Sequence, residues 1–317
     1  MIASALTRLF GLFVTLFIAA ASIFFLLDIL PGDPARFMLG VNATADAVAA
    51  LRDQLGLNVP PHERFVIWIS EILRGDLGIS ITQGAPVASL ISERLLVTVP
   101  LTLIAMVLSM LIGLPVGILA ATNRGRPTDT WLMILAQAGV AVPNFWVGML
   151  LVLLFSVSLG WLPTGGFVRW DEGPIDSLRS LILPGIALAL PQAAIVARVM
   201  RTALVDIAEA DFIRTARAKG LTRSQAMLRH GVRNALLPVL TILGLQFGFL
   251  IAGTVIVENV FYLPGLGRLI FTAISERDLI LVRGATLILV ASVTAIMTLT
   301  DILYVLADPR LRTRTRS

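Results

Sequence analysis

Residues 198–238, RVMRTALVDIAEADFIRTARAKGLTRSQAMLRHGVRNALLP, join two apolar runs at 181–200 and 236–257, and their reading decides the fold. The stretch carries seven arginines and the only lysine of the 317-residue chain. At this polarity it is not another membrane span, and roughly 35 residues is long for a connection. Helix-forming residues fill 201–210 and 212–219, Gly220 supplies a stop, and a second helix is predicted to begin near Thr222 or Ser224. Apolar Phe212, Ile213, Ala216 and Leu221 are expected to face one way. Such an element suits two uses: docking a partner protein, or resting on anionic lipid.

Working outward, the uncharged apolar runs long enough to cross a bilayer number six: 9–30, 95–121, 131–159, 181–200, 236–257 and 284–306. The third is long for one span and contains Pro143, so a tilt, kink or break is expected there. Pro184 and Pro191 predict a bent fourth helix. In the first run Ala19-Ala20-Ala21 lies inside the apolar stretch rather than after it, which predicts an uncleaved span and not a signal peptide. At 57% apolar and 14% charged, the composition disfavours an ordinary cytosolic enzyme and excludes a disordered chain. With no cysteine, disulfides, thiolate metal sites and cysteine nucleophiles are excluded as well.

The net charge of +5 suggests nucleic acid until the charges are sorted by segment. With the N-terminus inside, the inner segments hold 15 basic residues against five acids, and the outer segments ten against thirteen. Asp28 and Asp301 lie toward span ends, where pairing with headgroup-level cations is expected. The basic excess is therefore topological, and both termini are expected in the cytoplasm. The arginine tail after Asp308 is expected against anionic headgroups.

Chemistry inside the bilayer is sparse. The second to fifth runs hold no interior ionisable residue, which argues against a proton relay, though not against sodium coupling through backbone carbonyls. His62 and His230 are placed on opposite sides of the membrane and cannot share a metal or a catalytic dyad. Lys219 sits between Ala218 and Gly220 and makes no phosphate-binding loop, so ATP, if it drives this protein, is hydrolysed on another polypeptide.

The run Arg214-Thr215-Ala216-Arg217-Ala218-Lys219-Gly220-Leu221, followed by His230-Gly231-Val232-Arg233-Asn234-Ala235, resembles the coupling loop of ATP-binding-cassette importer permeases. More narrowly it is similar to the dipeptide/oligopeptide/nickel branch, in which the general Glu-Ala-Ala…Gly signature lacks its Glu; here that slot reads Arg214-Thr215-Ala216. The resemblance extends along the chain. It runs through Pro31-Gly32-Asp33-Pro34, Leu55-Gly56-Leu57, Gly75-Asp76-Leu77-Gly78 with Ser80, and Pro143, Phe145 and Trp146. It continues through Leu263-Pro264-Gly265-Leu266-Gly267, Arg277-Asp278, Asp301, Tyr304 and Asp308-Pro309-Arg310. Taken singly, each of the Gly/Pro motifs is also readable as a tight turn.

The resemblance implies an all-α fold with six membrane helices, the type I ABC importer transmembrane-domain fold, and the first, longer-looped permease of a pair. It implies a first helix with an extracytoplasmic loop over 1–94, a permease core over 95–307 with the coupling loop at about 201–234, and a cytoplasmic tail over 308–317. The implied partners are a second homologous permease, two cytoplasmic ATPase subunits and an extracytoplasmic solute-binding protein, in the inner or plasma membrane of a bacterium or archaeon. No cofactor, metal or nucleic acid is implied. Thr215, Ala216, Arg217, Ala218, Lys219, Gly220 and Leu221 would sit in a groove of the ATPase, with Gly220 permitting the turn and Ala216 and Ala218 the close approach. The polar or aromatic residues on the apolar runs, Gln137, Asn144, Trp146, Gln192 and Gln246, are candidates for the pathway, each with a competing reading as a packing or interhelical hydrogen-bond residue. The implied cargo is a dipeptide or oligopeptide; nickel or another small solute in the same machine, a secondary carrier, and a membrane enzyme are the alternatives.

Overall fold

A computed structural model describes residues 2–29, 34–39, 43–54 and 56–307, with side chains for all of these except 2–8, 34, 37, 38, 54 and 301–307. Pro31, Gly32, Asp33, Leu55, the Asp301 and Tyr304 side chains, and Asp308-Pro309-Arg310 with the arginine tail lie outside the described residues. Among the described residues the structure is helical, with one isolated bridge between Ile79 and Pro86. The helices are α1 (Ile2–Ile29), α2 (Pro34–Leu39), α3 (Ala45–Gln54), α4 (Pro61–Leu73), α5 (Val87–Thr122), α6 (Pro127–Ala141) and α7 (Asn144–Leu151). They continue with α8 (Pro174–Ile207), α9 (Asp211–Ala218), α10 (Arg223–Ala226), α11 (Val232–Val260), α12 (Leu266–Ser275) and α13 (Leu279–Ala307). Wider π turns extend α7 over Val152–Ser158 and join α10 to α11 over Met227–Gly231.

Among the described residues, five helical stretches are long and apolar enough to span a membrane: Leu9–Ile29, Val87–Thr122, Pro174–Ile207, Arg223–Val260 and Leu279–Thr300. The third apolar run is the exception. It is broken into Pro127–Ala141 and Asn144–Ser158 at an angle of 99°. The cause is Pro143, which has no amide to donate and forces the preceding Val142 out of the helical region, to φ −86° and ψ 126°. The amides of Trp146 and Val147 then bond to the Pro143 carbonyl and start the next helix. Pro184 and Pro191, by contrast, lie within α8, which runs unbroken through both.

The chain forms two compact units that are not consecutive in sequence. One comprises Thr98–Pro264 with the end of α13 from Ala295, and α8 is its centre: 72% of the α8 apolar window is buried, against 33% or less for the other spans. Lipid tails are as apolar as the side chains they would replace, so close backbone approach, not water exclusion, has to hold such helices together. The residues comply. A Cβ added at Gly113 or Gly117 of α5 would lie 2.6 Å from the Ala193 carbonyl oxygen or 2.5 Å from that of Ala197, so these two glycines let α5 lie directly on the α8 backbone. On the other side of α8, Gly253 of α11 meets Leu188.

The second unit comprises Ile2–Val97 and Gly265–Thr294. Here the first turns of two long helices pack on a short one: Val87, Leu90 and Ile91 of α5 and Leu281 of α13 against Leu266, Leu269 and Ile270 of α12. A smaller aromatic cluster joins α1 to α4, with Phe24 edge-on to Phe65 at 5.4 Å and tilted against Trp68 at 5.6 Å. Asp28 is paired within the protein, accepting from Arg64 Nη2 at 2.7 Å, which supplies the cation expected beside it.

Candidate functional site

Local chemistry builds the basic loop between α8 and α11. Residues 201–207 belong to the end of α8, so the helix expected over 201–210 is an extension of the span and not a separate element. After a short break α9 begins at Asp211, whose charge in the first turn suits the helix dipole, and Thr215 Oγ1 donates to the Asp211 carbonyl at 2.9 Å. The helix stops by a paired closure: Gly220 N–H donates to Arg217 O at 3.0 Å and Leu221 N–H to Ala216 O at 3.3 Å. That closure requires a left-handed residue, and Gly220 stands at φ +95°. Two residues on, Thr222 accepts from the Gln225 amide while Gln225 Oε1 accepts from the Thr222 amide, a reciprocal cap that starts α10. Stop and restart are thus set within a few residues, which places α9 as a short, separately capped helix ahead of α10 and α11.

Its faces are unequal. Ile213 and Ala216 are buried with Ala226, and Ile207 and Leu221 pack around them. Phe212 is exposed, which corrects the expectation that it shares the face of Ile213 and Ala216: adjacent residues on a helix lie about 100° apart. Ala216 is turned toward the protein's own fold, against Ile213 and Ala226. The outward residues include Arg214, Thr215, Arg217, Ala218, Lys219 and Gly220, a mostly cationic surface with small residues at Ala218 and Gly220 and with Asp211 beside Arg214.

A brace that sequence reading missed ties the start of α6 to the end of α8, just ahead of the loop. Asp129, in the first turn of α6, is buried and accepts from Arg201 Nε at 2.6 Å and Nη2 at 2.7 Å. The Gly125 amide adds a third donor at 3.3 Å. The two partners are 72 residues apart, so no local pattern announces them. A second missed group is Glu258, assigned from sequence to an outer segment; it lies in the last turn of α11, fully buried, and accepts from Thr98 Oγ1 at 2.6 Å.

The five span-borne candidates lie in the unit of Thr98–Pro264, and each has its own surroundings. Gln137 is exposed and accepts from Arg198 Nη2 at 2.6 Å. Asn144 opens α7, its Nδ2 3.1 Å from where a Cβ at Gly253 would stand, so that glycine makes room for it. Trp146 is half exposed on the wall of a largely apolar cavity of about 420 Å³ between α5, α6, α7 and α8. Gln192 has a buried Oε1, and Gln246 is 2% exposed with both amide atoms buried; none of these three atoms finds a hydrogen-bond partner among the described residues. Of the five, only Trp146 lines that cavity.

The motif residues of the second unit converge more tightly. Asp278 is buried and accepts on Oδ2 from Ser80 Oγ at 2.6 Å and from the Thr82 amide and hydroxyl at 3.1 and 3.0 Å. Its Oδ1 accepts from the Leu281 amide at 3.0 Å, capping α13. Gly78 is at φ +83°, and a Cβ there would meet Ile280 at 2.9 Å. The Gly75-Asp76-Leu77-Gly78 and Arg277-Asp278 motifs, separate turns in sequence, are two halves of one clasp.

Comparison with known proteins agrees with this architecture. Residues 113–313 match the family described as "Binding-protein-dependent transport system inner membrane component", and residues 1–102 match its N-terminal region. The glutathione transport system permease protein GsiC of Salmonella typhimurium is 42% identical over 307 residues, covering 97% of this chain and 98% of that protein. GsiC of Escherichia coli is 41% identical over 305 residues, covering 96% and 97%. Among solved structures, one of the MetNI methionine ABC transporter in inward-facing conformations aligns with a TM-score of 0.58 at 18% identity, covering 69% of this chain and 96% of that one, a likeness of fold. The fold is that of a type I ABC importer transmembrane domain, and the chain belongs to the binding-protein-dependent transport system inner membrane components: it is a multi-pass permease subunit of an ABC importer.

Proposed function

We propose that this permease carries short peptides inward, with the energy delivered through α9. The observation that carries the coupling reading is the geometry of that helix: an outward face of Arg214, Thr215, Arg217, Ala218 and Lys219 on a segment clamped between a left-handed stop at Gly220 and a buried anchor at Ile213 and Ala216. A rigid, cationic, locally small surface suits an acidic groove, and Ala218 leaves room for its rim. Phe212, exposed at the start of the same helix, supplies an apolar anchor. In this reading the groove belongs to one of two separate ATPase subunits that hydrolyse the ATP, a second homologous permease completes the pathway, and both termini are cytoplasmic. The 1–94, 95–307 and 308–317 segments then serve as the outer-loop region, the permease core and the tail.

The peptide assignment is supported by relatives named for the transport of glutathione, itself a tripeptide, at 42% identity over nearly the whole chain. Trp146, on its apolar wall, and Gln246, with a buried amide still to be satisfied, are the pathway residues best placed to meet a peptide side chain and backbone, with Gln192 beside them in character; Gln137 and Asn144 serve packing and interhelical bonding. Replacing Ala218 with Trp tests the coupling reading: uptake should fall at least tenfold while the chain still inserts and the ATPase still turns over. Normal uptake by Ala218→Trp overturns the docking assignment. Identifying what the cognate binding protein holds separates peptide from nickel or another small solute.

A further inference from the structure

The unit of Ile2–Val97 and Gly265–Thr294 holds a cavity of about 270 Å³ whose charges are out of balance. Its lining is mostly apolar, with Phe24 of α1 and Trp68 of α4 among the walls. Three guanidinium groups, Arg64, Arg277 and Arg283, and one carboxylate, the exposed Glu71, complete it. Arg64 is engaged: Nη2 donates to Asp28 at 2.7 Å and Nε to the Val59 carbonyl at 3.0 Å. Arg283 is not. Its Cζ lies 4.3 Å from the centre of the Phe24 ring, its buried Nε has no hydrogen-bond partner, and it makes no ion pair among the described residues. The charges acting on it are Asp28, already shared with Arg64, and Arg64 itself, which repels. Stacking on Phe24 offsets only part of what a guanidinium loses on leaving water, so among the described residues the site carries a cation that lacks its own counter-charge.

We propose that this cavity binds an oxyanion with an apolar body, a carboxylate or phosphate whose counter-charge is Arg283. The planar fork of a guanidinium suits a two-oxygen acceptor, and the aromatic and aliphatic walls suit the attached apolar part. The volume lies just below that of drug-sized sites, which fits a small amphiphile. Two sources present this chemistry, a free carboxylated solute and the headgroup of an anionic lipid. The proposal stands apart from the coupling helix and from the identity of the transported solute.

The full chain in nanodiscs of phosphatidylcholine, titrated with N-acetyl-leucine and with its uncharged amide as control, forms one arm of the test. Nanodiscs in which phosphatidylglycerol replaces part of the phosphatidylcholine form the other. The expected result is a saturable rise in Tm of about 3 °C or more in at least one arm, the first identifying a free solute and the second a lipid. The response should vanish in Arg283→Gln, persist in part in Arg283→Lys, and vanish in Leu57→Trp, which fills the cavity and leaves the charges in place. A flat Tm in both arms, an amide as effective as the acid, or an unchanged response in Arg283→Gln or Leu57→Trp overturns the proposal.

Discussion

Removing one member of the Asp129–Arg201 pair should harm the protein unequally, depending on which member is removed. The Asp129 side chain is 6% exposed and the Arg201 side chain 27%. In Arg201→Gln the carboxylate stays shielded and loses two short charge-assisted bonds, keeping only the Gly125 amide, so the expected cost is about 3 kcal/mol, at the low end for breaking a buried pair. In Asp129→Asn the guanidinium is left, but a quarter of it already reaches solvent and the amide oxygen still accepts one bond, so about 1.5 kcal/mol is expected. The double variant places two neutral amides face to face and should cost about 2 kcal/mol, a coupling of about 2.5 kcal/mol. Reversible unfolding in mixed micelles with increasing sodium dodecyl sulfate, followed through the five tryptophans, measures all four corners of the cycle. A larger cost for Asp129→Asn than for Arg201→Gln, or additivity within about 0.5 kcal/mol, refutes the reasoning. Because the pair fastens the start of α6 to the end of α8, ahead of α9, uptake should fall in the same order as stability.

Other substitutions test other joints. Gly117→Val puts a branched side chain where even a Cβ would lie 2.5 Å from the Ala197 carbonyl oxygen; a loss of about 2 kcal/mol or more is expected in the same unfolding assay. Gly220→Ala forces an L side chain to φ +95° and should cost about 1 kcal/mol, with greater protease sensitivity of the 198–238 segment, whereas Lys219→Ala should leave that sensitivity unchanged. Asp278→Ala strands the buried Ser80 hydroxyl and the Leu281 amide, at about 3 kcal/mol. Because the chain has no cysteine, a single one introduced at Ile81 reports the opening of that clasp by faster thiol labelling in the Asp278→Ala background.

Much of this molecule is legible in the chain because it depends on neighbours in sequence. Apolar runs of span length declare themselves without knowledge of any contact, and so does the basic segment between them. The Gly220 stop and the restart at Thr222 are likewise local, since every bond in them joins residues within five positions. Pro143 marks a disturbance in the third run for the same reason, but Pro184 and Pro191 carry the same local signal and leave α8 continuous. In membrane helices the outcome at a proline depends on whether surrounding packing re-satisfies the freed backbone, which no window of sequence contains.

What tertiary structure alone decided are the meetings of distant groups and the directions in which faces turn. Asp129 finds Arg201 across 72 positions and Ser80 finds Asp278 across 198, through charges and hydroxyls that look unremarkable where they stand in the chain. Ala216 and Ala218 are alike in type and two residues apart, yet one is buried against Ile213 and Ala226 and the other faces outward. The chain by itself determined that this is a membrane bundle with a basic, helix-forming segment between two of its spans, because hydropathy, charge and turn chemistry are properties of short segments. Only the folded bundle decided which residues tie α6 to α8, which face α9 presents, and that Arg283 stands in a cavity against Phe24 without an acid of its own among the described residues, because a counter-charge is a matter of distance in space.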